Sequence, residues 1–325
     1  MKSPWLTALA AALLCLVSVG VKAQTYPERA IHIVVPYPPS GSSDILTRWI
    51  GQKLSEQWKV PVVIENRPGA AGNFGMETVA RAEPDGYTLV MTNNSQASNV
   101  SLYPTTFDIE KDFEPLGLIG SSPMVVAVNP SVPAKNMTEL TALAKSEPDK
   151  LTYGSCGIGT PQHFAIEMYR EMAGINMLHV PYRGCAPAVT DAIGGQVQII
   201  ATTAGQMAPQ IKAGLLRPIA STSRHRSSAT PDVPTFEEAG LPGYDLDIWF
   251  GMMAPAKTPT AILDKIHDAV ERILESPESK KRLESLGVDL FITTRAEHAK
   301  TLHDDIEKYR KLVIDMKIER PNADQ

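Results

Sequence analysis

Short apolar runs alternate with amphipathic stretches from Ile31 onward, the pattern of strands joined by helices into parallel sheets. Ile31–Val35 reads as a first strand. It stops at Pro36-Tyr37-Pro38-Pro39-Ser40-Gly41, where Ser42, Ser43 and Asp44 offer N-caps to a helix with Ile45, Leu46, Trp49, Ile50 and Leu54 on its apolar face. Residues 62–65 form a second predicted strand, followed by the glycine-rich stretch 66–75 and a helix through about Arg81. Asp85-Gly86 then turns the chain into a strand over residues 87–92. A glycine loop thus opens a helix twice in the first third of the chain.

A fresh strand is predicted over residues 123–128, then a helix capped by Thr138 and ending near Ser146. Residues 151–153 lead into Gly154-Ser155-Cys156-Gly157-Ile158-Gly159-Thr160-Pro161, with Thr160 suited to the N-cap and Pro161 to the first helical position. A helix over 162–172, a strand over 178–180, a helix from Ala186 and a strand over 197–202 complete a second α/β unit. After a strand over 217–222, Thr235 and Glu238 have capping-box spacing for a short helix, and residues 249–255 are expected to be the return crossover between domains. Helices at Thr260–Glu275 and 296–316, around a strand at 288–293, are expected to pack back onto the first domain. The predicted fold class is α/β with two lobes and the ligand between them: residues 24–123 plus 249–325 form domain 1, and 124–248 form domain 2.

The N-terminus changes the compartment. Lys2, an apolar stretch from Trp5 to Val19 and the small-residue pattern Val21-Lys22-Ala23 read as a signal peptide over residues 1–23. The apolar stretch is shorter than the roughly 20 residues a membrane span needs. Leu14 precedes Cys15 where a lipoprotein signal wants a small residue, so no lipid anchor is expected. Removing Lys2 and Lys22 leaves 29 basic against 36 acidic residues, a formal charge of −7. Such a chain is a poor nucleic-acid partner, and an anionic ligand must be held by local donors against the overall field. The two cysteines left, Cys156 and Cys185, are expected to pair in an oxidising compartment, the other reading being two buried free thiols.

Backbone N–H groups converge at helix N-termini, where the first donors lack intrahelical partners and the helix dipole is positive. Three such places occur, at Ser40 to Asp44, Gly69 to Phe74 and Gly157 to His163, each after a strand. Phe74 could offer apolar contact to a ligand skeleton, although an aromatic in a first helical turn is more often packed core, and Arg183 could meet a carboxylate or a surface acid. Gly69, Gly72 and Gly75 have the wrong spacing for a dinucleotide fingerprint, and no phosphate loop is present. Cys156 beside His163 is the tempting nucleophile, but Cys185 is available as its partner, no Gly-x-Ser-x-Gly elbow occurs, and the histidines lack metal-ligand spacing. No enzyme activity, metal or cofactor is expected.

Ordered blocks now point to a family: Val35-Pro36-Tyr37-Pro38, Glu65-Asn66-Arg67-Pro68-Gly69-Ala70-Ala71-Gly72, Pro84-Asp85-Gly86-Tyr87, Gly157-Ile158-Gly159-Thr160-Pro161-Gln162-His163, His179-Val180-Pro181-Tyr182-Arg183-Gly184 and Gly194-Gly195-Gln196-Val197. The whole mature chain resembles the Bug-type, TctC-like receptors of tripartite tricarboxylate transporters. The resemblance implies a periplasmic binding protein fold, type II-like and monomeric, that closes on a small organic carboxylate and delivers it to a permease with one large and one small membrane subunit. A sensor feeding a signalling receptor is the alternative. First-lobe donors are implied at Ser40, Gly41, Ser42 and Ser43 and at Ala70, Ala71, Gly72 and Asn73; Gly159, Thr160 and His163 are implied from the second lobe. Side chains from Asn93 to Gln96, with Asn94 and Ser95 foremost, and from Thr202 to Gln206, with Thr202 and Thr203 foremost, follow strands and are expected to read the rest of the ligand, whether di- or tricarboxylate, aromatic acid or acidic amino acid. The chain departs from the family at Ser40, where glycine is common, and at Phe74, where an aliphatic residue is frequent.

Overall fold

The computed structural model describes residues 26–284 and 286–318, so the expected signal peptide lies outside the described residues. The first lobe opens with β1 (Ile31–Val35), α1 (Ser42–Trp58), β2 (Val62–Asn66), a single 3-10 turn at Ala70–Gly72, α2 (Asn73–Ala80), β3 (Thr88–Asn93), α3 (Ser95–Leu102) and β4 (Phe113–Ser122). The second lobe follows with β5 (Met124–Val128), α4 (Met137–Ser146), β6 (Thr152–Ser155), α5 (Pro161–Ala173), β7 (Leu178–Pro181), α6 (Cys185–Ile193), β8 (Ile199–Thr203), α7 (Ala204–Lys212) and β9 (Arg217–Ser221). The chain then returns through β10 (Ile248–Pro255), α8 (Thr260–Glu275), α9 (Pro277–Glu284) and α10 (Arg295–Asp315).

Two five-stranded sheets result, in the orders β2-β1-β3-β10-β4 and β7-β6-β8-β5-β9. The expected parallel pairing holds for β1 with β2 and β3 and for β6 with β7 and β8. It fails elsewhere: β10 runs antiparallel to β3 and β4, and β5 antiparallel to β8 and β9. The cause is the double crossing between lobes. Pro123 alone separates β4 in one sheet from β5 in the other, and residues 222–247 lead back to β10. Residues 249–255, expected as the crossover, are instead most of a fully buried strand in the interior of the first sheet.

Burial explains the elements. Met124–Val128 is buried along its whole length, with Val126 in one apolar cluster and Val125 and Ala127 in another, as a strand covered by helices on both faces requires. On α1, Leu46, Ile50 and Leu54 recur at helical spacing and are fully buried. The start of α5 follows its capping chemistry, with the Thr160 side chain accepting from His163 N–H and Pro161 in the first turn. The helix expected to be capped by Thr138 is capped by Asn136, which accepts from Glu139 N–H.

Two departures share one cause. The sequence pattern predicts no strand over residues 113–122, which carry Pro115, Gly117 and Gly120, and does predict one over 288–293. That segment instead crosses β4 at close quarters, pairing Ser121 with Asp289 in an isolated bridge and donating Thr293 N–H to Leu118 O at 3.1 Å. A Cβ on Gly117 would lie 2.7 Å from Thr293 O, and one on Gly120 2.8 Å from Asp289 O, so the glycines admit the crossing chain. The capping box at Thr235 forms both of its reciprocal bonds with Glu238, yet the segment remains turns, because Gly240, Pro242 and Gly243 follow within five residues of Glu238.

Candidate functional site

The carboxyl ends of β1, β3, β6 and β8 and the start of β10 border a cavity of about 180 Å³ between the lobes. From the first lobe come Tyr37 to Ser43, Asn93, Ser95, Ile248 and Phe250; from the second come Cys156, Thr160 to Gln162, Arg183 to Pro187, Thr203 and Gln206. Ligand clefts of open α/β sheets lie at this end of the strands.

The first-lobe wall is a helix start. Gly41 is the N-cap of α1 and offers no side-chain acceptor, leaving first-turn N–H groups pointed at the cavity end. Ser40 sits at φ 69°, a left-handed conformation that costs a side-chain residue more than glycine. Its N–H donates to Asp44 Oδ2 at 2.9 Å. Burial pushes the Asp44 carboxyl up, but Arg48, Ser40 N–H and Asn66 outweigh it and hold it below its ordinary range. The acid behind the helix start is therefore fully engaged. Tyr37, fixed by its hydroxyl to Asn93 Oδ1 and Ser95 Oγ at 3.0 Å each, stands beside it. Burial raises that hydroxyl above its ordinary value, so it serves as a neutral donor.

The glycine-rich loop turns elsewhere. Ala70, Ala71 and Gly72 have φ of 46°, 53° and 100°, and Gln96 and Asn99 side chains both donate to Ala71 O, at 3.3 and 2.9 Å. A Cβ on Gly72 would sit 2.6 Å from Gln96 Nε2 and 3.1 Å from Pro36 O, so the close approach there is to protein. Asn73 borders a separate cavity of about 290 Å³ with Gln96, Asn99 and Arg310. Phe74 is 61% exposed and lies against Gly69. None of residues 70–74 lines the interlobe cavity.

The second-lobe wall is pinned covalently. Cys156, just after β6, is bonded to Cys185 at the start of α6, 29 residues on, and both border the cavity. The bond also removes the thiol beside His163. That histidine is buried, and its Nδ1 accepts from Gly159 N–H at 3.2 Å. It stacks on His179, ring centroids 4.1 Å apart, and His179 stacks on Tyr153 at 4.8 Å. Burial pushes His163 down to about 3, helped by Arg170, and His179 down to about 3, helped by His163. Below them Glu167 bridges Tyr153 and Arg170.

The lobes touch across the cleft. Ser42 Oγ and Thr203 Oγ1 are 3.1 Å apart, Ser98 Oγ donates to Gly159 O at 2.5 Å, and Tyr103 OH donates to Ile158 O at 3.1 Å. Of the expected site residues, Ser40, Gly41, Ser42, Ser43, Ser95, Thr160 and Thr203 line the cavity. Gly159 and His163 support it from behind, Thr202 is buried with its hydroxyl on Gln206, and Asn94 faces the second crossing, donating to Asp247 O and Tyr309 OH. Tyr37, Gln162, Ile248 and Phe250 were not anticipated. Position signals Tyr37, in the same loop as Ser40, and Gln162, in the first turn of the helix that Thr160 caps; Phe250 reads only as strand core. Among the described residues no group of three or more His, Cys, Asp or Glu is placed to hold a metal ion, and no helix is long and apolar enough to cross a membrane.

The family model described as tripartite tricarboxylate transporter family receptor matches residues 46–318. Protein BugT of Bordetella pertussis is 30% identical over 300 residues, covering 91% of this chain and 92% of that one. The R. palustris protein Rpa4515, solved with adipate, superposes with a TM-score of 0.86 at 30% identity, over 90% of this chain and 99% of that one. MatC from Rhodopseudomonas palustris, solved with bound malate, gives a TM-score of 0.82 at 28% identity, over 89% of this chain and 100% of that one. With its two lobes, its mixed sheets and a match along most of its length, this chain belongs to the tripartite tricarboxylate transporter receptor family.

Proposed function

We propose that this protein is an extracytoplasmic receptor that captures a small organic carboxylate between its lobes and delivers it, unchanged, to a permease of one large and one small membrane subunit. The observation that carries the reading is the lining of the interlobe cavity: a helix start, serine and threonine hydroxyls and one arginine, without a carboxylate among the described residues. Such a lining favours an anion and offers no activated nucleophile. The relatives solved with adipate and malate support the ligand class.

On this reading Ser40 to Ser43, Ser95, Thr160 and Thr203 touch the ligand, while residues 70–74, Asn94, Gly159, His163 and Thr202 hold those walls in place. The domains divide as residues 24–123 plus 249–325 and residues 124–248, each lobe carrying one sheet and the second boundary falling one residue inside β10. Residues 1–23 are removed on export to the periplasm, and the mature protein acts as a monomer. The test is a thermal-shift screen of mature protein, unfolded and refolded to strip carried ligand, against carboxylates and sugars. A ligand of the folded state raises the melting point. A shift confined to carboxylates supports the receptor reading, and a shift with sugars alone rejects it. Loss of uptake on deleting the permease genes separates transport from sensing.

A further inference from the structure

Among the described residues Arg183 is the one side chain lining the interlobe cavity that carries a formal charge at neutral pH. It has no hydrogen-bond or ion-pair partner among the described residues, whereas Arg48 is engaged by Asp44, Arg170 by Glu167 and Arg226 by Glu238. Its backbone is held on both sides: Tyr182 N–H donates to Ser155 O and Gly184 N–H to Cys156 O, each at 3.1 Å, and the disulfide follows at Cys185. Asp191, on the adjoining helix, is taken by the Tyr182 hydroxyl at 2.7 Å. The segment faces the opposite lobe, since a Cβ on Gly184 would touch Pro38 at 3.4 Å.

The two walls therefore differ in charge. The Ser40 to Ser43 wall supplies neutral main-chain and hydroxyl donors, and its nearby cation, Arg48, is spent on buried Asp44. A single carboxylate needs only that wall. The second wall adds one guanidinium, whose planar fork suits a carboxylate in bidentate fashion. Between them Pro38, Pro39, Pro161, Pro187, Ile248 and Phe250 offer apolar surface, matched to a short methylene chain.

We infer that Arg183 receives the second carboxylate of a linear dicarboxylate whose first is held at Ser40 to Ser43, and so sets selectivity for dicarboxylates over monocarboxylates. This rests on the receptor reading above. The experiment is calorimetry on refolded, ligand-stripped mature protein, titrated with succinate, glutarate, adipate and malate and with the monomethyl ester of each. Wild type should bind its preferred diacid about 10- to 100-fold more tightly than the ester, the range of a charge-assisted hydrogen bond. Arg183→Met should erase that preference by weakening the diacid alone, leaving ester affinity within about twofold, and Arg183→Lys should restore part of it. Equal weakening of diacid and ester by Arg183→Met, or an unchanged preference, overturns the inference. If wild type binds esters as well as diacids, the receptor reading stands and the role of Arg183 falls. If it binds no carboxylate, both fall.

Discussion

The two walls of the cleft are built on opposite principles. The first-lobe wall is made of backbone held by polar side chains: Ser40 adopts a left-handed φ and donates to Asp44, and the supporting turn at Ala70 and Ala71, also left-handed but off the cavity, is held by Gln96 and Asn99. The second-lobe wall is cross-linked and stacked, with a disulfide at its rim and three aromatic rings layered beneath. A wall that must present main-chain donors needs unusual φ and many small hydrogen bonds. One that must present a side chain needs only a rigid mount.

The disulfide is the largest lever on this contrast. Replacing both Cys156 and Cys185 by serine is expected to lower stability by about 3 to 4 kcal/mol, from the entropy of a loop 29 residues long. Urea denaturation checks it, and loss of dicarboxylate preference in the same variant would show that the bond also mounts Arg183. In the first lobe, Gly72→Val forces a branched side chain onto φ 100° and against Gln96 and Pro36. About 3 kcal/mol of destabilisation is expected; unchanged stability with lost binding would instead place this loop directly on the ligand.

Acidification should weaken the stacked wall. His163 is held neutral down to about 3 in the folded state, against 6.5 ordinarily, so the unfolded chain binds the extra proton in between. Stability from this group is complete above pH 6.5 and declines as pH falls toward 3, by about 2 kcal/mol at pH 5. Buried His298 in the first lobe acts in the same sense, whereas Asp247, pushed up to about 7 by burial, acts in the opposite one. The informative quantity is thus the difference between wild type and His163→Asn at pH 7 and pH 5; an identical pH slope in both would remove His163 from the account. The smallest effect belongs to the bridge between the walls. Ser42→Ala and Thr203→Val should each weaken ligand binding about 2- to 10-fold, and a double-mutant cycle should show them non-additive.

Legibility followed the same division. Elements whose chemistry is local could be read directly: β1 from its apolar run, α5 from Thr160 and Pro161, α8 from its amphipathic spacing, and the disulfide from two leftover cysteines. What escaped depends on distant chain. α3, Ser-Gln-Ala-Ser-Asn-Val-Ser-Leu, is mostly buried yet polar, because its amides serve the turn at Ala71 and its Ser98 reaches the other lobe. α7 carries Pro209, and β4 carries the glycines that a crossing segment requires. The loop at Ser40 could be read as a helix start at a strand end. The loop at 70–74 has the same local signature, but only tertiary packing shows it turned from the cavity toward Pro36 and Gln96.

The double crossing between sheets has a mechanical meaning. At the first, Pro123 leaves no slack between β4 and β5; at the second, Leu246 N–H bonds to Thr222 O, and Thr222 N–H bonds in turn to Met124 O, immediately after Pro123. The two connections are thus laced side by side, like paired pins on one door. Such a joint resists swivelling and favours one hinge-like rotation, the motion that closure on a ligand under the proposed function would use. A reporter pair placed on opposite lips of the cleft would then read ligand occupancy as one distance, without a second coordinate to disentangle.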